Sequence, residues 1–108
     1  MSNKGILVVR AEVADPSDRP SFEHWYGSEH LPEAAAAFKV ERAWRCWSKM
    51  QPAVHYAFYQ FSGSDAALAA VYSDTNKMLG SKFDAAWGDR VTRTRDVVEM
   101  VYTWPDAG

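Results

Sequence analysis

Four stretches of this chain show the two-residue alternation of β-strands, and each carries apolar side chains on both faces. In Gly5 to Val13 one face is Leu7, Val9, Ala11 and Val13. The other is Ile6, Val8, Arg10 and Glu12, which turns from apolar to charged along the strand. Val40 to Ser48 alternates Arg42, Trp44 and Cys46 with Ala43, Arg45 and Trp47. Val54 to Phe61 sets Val54, Tyr56, Phe58 and Gln60 against His55, Ala57, Tyr59 and Phe61. Val91 to Trp104 sets Val98, Met100 and Tyr102 against Val97, Glu99 and Val101, and Pro105 stops it. Helices on one face of such a sheet would leave a large apolar surface on the other. A patch of that kind marks an interface, and a second copy of the sheet would cover it.

Helical spacing fills the two long gaps between strands. Asp18 can cap the first helix and Pro20 suits its first turn. Phe22, Trp25, Tyr26, Glu29 and His30 then fall at helical spacing. Pro32 lacks the donor that the Ser28 carbonyl would need, so a kink or break is expected there, with Glu33 to Phe38 resuming as a short helix. Ser62 to Asp65 is a helix start signal; Ala66 to Tyr72 is one piece, and a second carries Met78, Leu79, Phe83, Ala86 and Trp87 before Gly88 ends it. The order is β-α-β-β-α-β. It predicts an α+β, ferredoxin-like domain over residues 1–108, with a four-stranded antiparallel sheet and helices on one face. At 12.2 kDa about two-thirds of the unfolded surface becomes buried on folding, so no staple is required.

Charge and cysteine content narrow the function. Twelve basic against fourteen acidic residues argue against a nucleic-acid or membrane-surface partner. The sole cysteine, Cys46, excludes an internal disulfide and a cysteine-based metal cage, and it reads as a small buried hydrophobe. No apolar run is long enough for a signal segment or a membrane span, so the expected location is the cytoplasm. Five Trp, five Tyr and five Phe are many rings for this length. They line a pocket or subunit interface, or they form a Trp-rich core, and the sequence leaves both open.

The strand and helix order, together with Trp25-Tyr26-Gly27-Ser28-Glu29-His30-Leu31-Pro32-Glu33, resembles the dimeric α/β-barrel superfamily. Within it the chain is most similar to the EthD-like branch, whose Tyr-x-x-x-His-x-Pro pattern is matched by Tyr26, His30 and Pro32. The resemblance implies a homodimer with sheets packed face to face, and a cavity in each subunit between sheet and helices. It implies small, often aromatic or polyketide-like ligands, and it spans cofactor-free monooxygenases, cyclases, isomerases and tautomerases. Haem-degrading members use an Asn on the first strand, and Ile6 to Val13 has none. No cofactor and no metal are expected. His24 and His30, six apart on a helix, cannot share a ligand face.

Two residues stand out for chemistry. His30, at the helix break, suits a group that titrates near neutral pH and moves a proton. Tyr26, one turn earlier, can donate to a developing enolate oxygen. Against this, both could serve only to satisfy backbone groups of the broken helix. Trp25, Trp44, Tyr59, Phe83, Trp87 and His55 are the expected walls of a substrate cavity; the plainer explanation is core packing for the rings and a solvated strand-end position for His55. His24 reads as surface. Arg10, Glu12, Arg93, Arg95 and Glu99 are expected to pair across the ladder or the dimer. The function is then a small protein binding a hydrophobic or aromatic molecule, with cofactor-free proton transfer or oxygenation as its chemistry. The alternatives are a non-catalytic binding or accessory protein of a degradation or biosynthetic pathway, and a protein whose role is dimerisation itself.

Overall fold

Leu7, Val9, Ala11 and Val13 of β1 (Gly5–Val13) are all buried on one face, as their alternation requires. The computed structural model describes residues 3–105. In it β1 is central and pairs antiparallel with both β3 (Val54–Phe61) and β4 (Val91–Glu99), while β2 (Arg42–Trp47) pairs with β3. The sheet order is β2-β3-β1-β4. The last strand is shorter than its apolar pattern suggests, ending at Glu99, though the Met100 N–H still donates to the Lys4 carbonyl at 2.9 Å.

Register fixes which side chains meet the helices. Leu7 lies opposite Tyr59 and Val97, and Ala11 opposite His55 and Arg93. The inner face therefore also carries Ala43, Arg45 and Trp47 of β2. Covering it are α1 (Arg19–Trp25), α2 (Leu31–Phe38), α3 (Ser64–Val71) and α4 (Asp74–Trp87). The cap before α1 falls earlier than expected. Asp15 accepts from the Ser17 N–H and opens a 3₁₀ turn over Pro16–Asp18, while Asp18 pairs with Arg90 at 3.1 Å. Ser73 caps α4 by accepting from the Asn76 N–H.

Phe22 is the centre of the core. Fully buried, it packs within 5.2–6.2 Å of the rings of Trp25, Tyr26, Trp47, His55, Phe83 and Trp87. The outer face of the sheet is aromatic too. Trp44 stacks on Phe58 at 5.2 Å, Tyr56 lies 6.2 Å beyond, and the Arg42 guanidinium sits over Trp44. No helix among the described residues covers this face. Cys46 lies on it and is exposed, contrary to the expected burial, because β2 is an edge strand turned with its Arg42-Trp44-Cys46 side away from the helices. No helix among the described residues is long and apolar enough to cross a membrane.

Candidate functional site

From Arg19 to Phe38 the backbone stays helical, but the turn Tyr26–His30 between α1 and α2 is wider than an α-helix. There the Leu31 N–H donates to the Tyr26 carbonyl five residues back. The expected defect at Pro32 takes this form and not that of a kink or break. The widened turn lets α2 begin afresh, so Pro32 sits in a first turn, where a missing donor costs little. Gly27 lies inside the wide turn because a side chain would collide with Arg45: a Cβ there would lie 2.6 Å from Arg45 Nη2. Arg45 in turn donates through both terminal nitrogens to Glu23, with Nη1–Oε1 at 2.8 Å. Trp47 Nε1 donates to the same Oε1 at 2.8 Å. These donors hold the Glu23 carboxyl down at about 2, Arg45 foremost, and the clamp fixes α1 against β2.

The wide turn delivers Tyr26 and His30 to the interior. His30 is 6% exposed. Its ring stacks on Trp25 at 4.6 Å and meets the edges of Tyr26 at 4.9 Å and Phe83 at 5.7 Å. Its Nδ1 is buried with no hydrogen-bond partner among the described residues. Burial first, and then the cationic Arg93, press its pKa down to about 4. The expectation of titration near neutrality is therefore corrected: at pH 7 His30 is a neutral imidazole. Tyr26 and Tyr59, each 1% exposed, face one another with hydroxyls 3.3 Å apart. Burial pushes Tyr26 up to about 12 and Tyr59 higher still, so both keep their protons. One O–H is spent on the other hydroxyl. The second remains available to donate.

His30 stands in the wall of two spaces. An inner cleft of about 20 Å³, room for a single water, lies between sheet and helices, bounded by Tyr26, Tyr59, Leu79, Arg93 and Arg95. An outer groove of about 650 Å³ runs between the wide turn and α4, bounded by Trp25, Glu29, Glu33, Lys82 and Ala86. An ion pair from Lys82 to Glu33 spans it.

Other expected wall residues are distributed unevenly. Phe83 touches His30, as its spacing on α4 suggests. Trp87 packs on Phe22 and Trp25 one turn further on, with its Nε1 unpartnered among the described residues and Arg90 over its ring at 4.7 Å. Trp44 is a correction: pairing with β3 puts it on the outer face, stacked on Phe58 and away from the cleft. His55 is neither solvated nor at an edge. It is fully buried between Phe22, Tyr26 and Trp47 at 5.3, 4.6 and 5.0 Å, with both nitrogens unpartnered among the described residues. Burial lowers its pKa to about 4. His24 is exposed.

Among the described residues Arg10, Glu12, Arg93, Arg95 and Glu99 do not pair with one another across the ladder: Arg10 lies 4.0 Å from Glu12 of its own strand, and Glu99 accepts from Ser64. Arg93 and Arg95 point to the helix side, in phase with Val91 and Val97. That phase was the available signal, since two arginines interrupt a run of valines on the core face.

No family model matches the chain, and no curated protein matches it significantly. Solved structures do. An ethyl tert-butyl ether D (EthD) family protein from Bacillus halodurans is similar with a TM-score of 0.69 at 16% identity, covering 91% of this chain and 99% of its own. SnoaB, a cofactor-independent oxygenase from Streptomyces nogalater, has a TM-score of 0.66 at 15% identity over 97% of this chain and 100% of its own. A protein of unknown function from Nitrosomonas europaea has a TM-score of 0.64 at 21% identity, over 98% and 97%. With identities this low it is the backbone that is shared: this chain has the ferredoxin-like fold that these structures also have.

Proposed function

We propose that this protein, a single domain over residues 1–108, binds a small hydrophobic aromatic molecule at His30 and promotes a cofactor-free proton transfer on it. The observation that carries the reading is His30 itself: an almost buried, neutral imidazole, stacked on Trp25, in the wall of both cleft and groove. A neutral imidazole accepts a proton from an acidic C–H or phenol of the ligand. The Tyr26–Tyr59 hydroxyl pair supplies a donor for the oxygen on which charge then develops. Trp25, with Ala85 and Ala86 of α4, offers apolar surface to the ligand body in the outer groove, and Phe83 backs the His30 ring from within the core. Function does not follow from fold, but the oxygenase SnoaB shows that this backbone supports chemistry without a cofactor in another protein.

Solvent deuterium exchange at the activated C–H of 2-tetralone, followed by NMR, tests the reading without a known substrate. His30→Gln is expected to lower the protein-catalysed rate by about 10²–10⁴-fold. Exchange at the same rate in both proteins would end the catalytic reading. A non-catalytic binding protein is the second reading, favoured by the small size of the inner cleft and by the weak basicity of His30. Its outcome is tetralone binding with no exchange above background.

The same reading includes a homodimer through the outer sheet face, supported by its half-buried Trp44, Tyr56 and Phe58. It also places the protein in the cytoplasm, where an exposed thiol such as Cys46 stays reduced.

A further inference from the structure

Arg93 and Arg95 stand two residues apart on the inner face of β4, opposite Ala11 and Val9, where a helix-covered sheet calls for apolar side chains. α4 passes over them, with Gly80 in mid-helix at the point of approach. A Cβ there would lie 3.5 Å from Arg93 Nη2 and 3.7 Å from Arg95 Nη2, so both guanidinium tips converge on this one point. Two like charges brought this close repel, and an anion between or beside them would turn that repulsion into attraction.

The fold supplies little. Among the described residues neither guanidinium makes a hydrogen bond, and Arg95 has no carboxylate within ion-pair distance. Arg93 has only Asp84 at 3.6 Å, and that carboxyl is 71% exposed. The Arg93 guanidinium carbon lies over the Phe83 ring at 4.1 Å, a cation–π contact that uses no N–H donor. Both arginines bound the inner cleft beside Tyr26, Tyr59 and His30. Arg95 also bounds a surface groove of about 240 Å³ with Leu68, Val71, Tyr72 and Val97, and with the acidic Asp96. The pair thus stands where an apolar surface meets the proposed chemical groups.

We propose that Arg93 and Arg95 form an anion-binding site, and that the ligand is an aromatic molecule carrying a carboxylate. Edge N–H groups of a guanidinium match the two oxygens of a carboxylate, and two guanidiniums can share it. The ring of the ligand, too large for the inner cleft, then lies in the surface groove of about 240 Å³ against Leu68, Val71 and Tyr72. This rests on the reading that the site takes an aromatic ligand, and it adds the charge that the ligand bears.

Calorimetric titration with 2-naphthoate and with its neutral isostere 2-naphthamide separates the two. The wild-type protein is expected to bind naphthoate at least tenfold more tightly than naphthamide. Arg95→Gln, at an exposed position, is expected to shrink that preference below threefold, chiefly by weakening naphthoate, and Arg93→Gln to do the same. Equal affinity for both compounds in the wild type, or a preference that survives in Arg95→Gln, overturns the anion site and leaves the aromatic site standing. Binding of neither compound overturns both.

Discussion

His30 and His55 are both buried as neutral imidazoles, and this has a consequence for acid stability. Their folded-state pKa values lie near 4, against the ordinary 6.5. Well above pH 6.5 neither histidine is charged in either state, and neither affects stability. As the pH falls from 6.5 towards 4 the unfolded chain takes up protons that the folded one refuses. Stability therefore falls by about 1.4 kcal/mol per pH unit for each histidine, and this loss levels off below pH 4. Glu23 acts lower down: its carboxyl, held near 2, contributes stability above its ordinary 4.5 that is lost as the pH drops towards 2. Urea unfolding at pH 7, 5.5 and 4.5 will trace the histidine slope. His55→Leu, of similar volume among Phe22, Tyr26 and Trp47, is expected to halve it. An unchanged slope would mean that His55 is not held neutral. At this scale the sequence was a partial guide. Tyr26 and His30 were legible because four residues of helix put them together. The sealing of His55 was not, because it depends on Phe22 and Trp47 arriving from two other elements.

At the scale of elements, local signals located the strands and helices well, and they failed where an element's orientation depends on its neighbour. Trp44 and Trp47 look alike in the alternation of β2. Only the pairing of Ala43 with Tyr59 and Trp44 with Phe58 decides which tryptophan meets the helices. Pro32 was visible as a disturbance, but its accommodation by a five-residue turn depends on Gly27 and on Arg45 packed against it. That accommodation sets the effect of removing it. A proline deep inside a helix costs about 3 kcal/mol, and its replacement would be strongly stabilising. Because Pro32 lies in the first turn of α2, Pro32→Ala is expected to change stability by less than about 1 kcal/mol in chemical denaturation. A gain of 2 kcal/mol or more would show that the helix is under strain at this point.

For the molecule as a whole, the strands' two-sided apolarity finds only half its explanation within one chain. The helices cover Leu7, Val9, Ala57 and Tyr59, while Trp44, Tyr56, Phe58 and Val98 lie on the uncovered side. A homodimer through that face is expected to give about twice 12.2 kDa by light scattering at micromolar concentration. Phe58→Glu is expected to halve the measured mass without altering the far-ultraviolet circular dichroism. A wild-type monomer would refute the arrangement. The sheet order has a separate consequence, for how the chain is made. β1 leaves the ribosome early, yet Gly5 waits for Glu99 and Val13 for Val91 before its second edge is paired. Until then one row of its amides and carbonyls has no strand to bind. Closing so long a loop is slow by the entropy of the intervening chain, so the nascent protein spends its synthesis with an open central strand. That edge is where a chaperone would protect it, and where crowded synthesis would first produce aggregates.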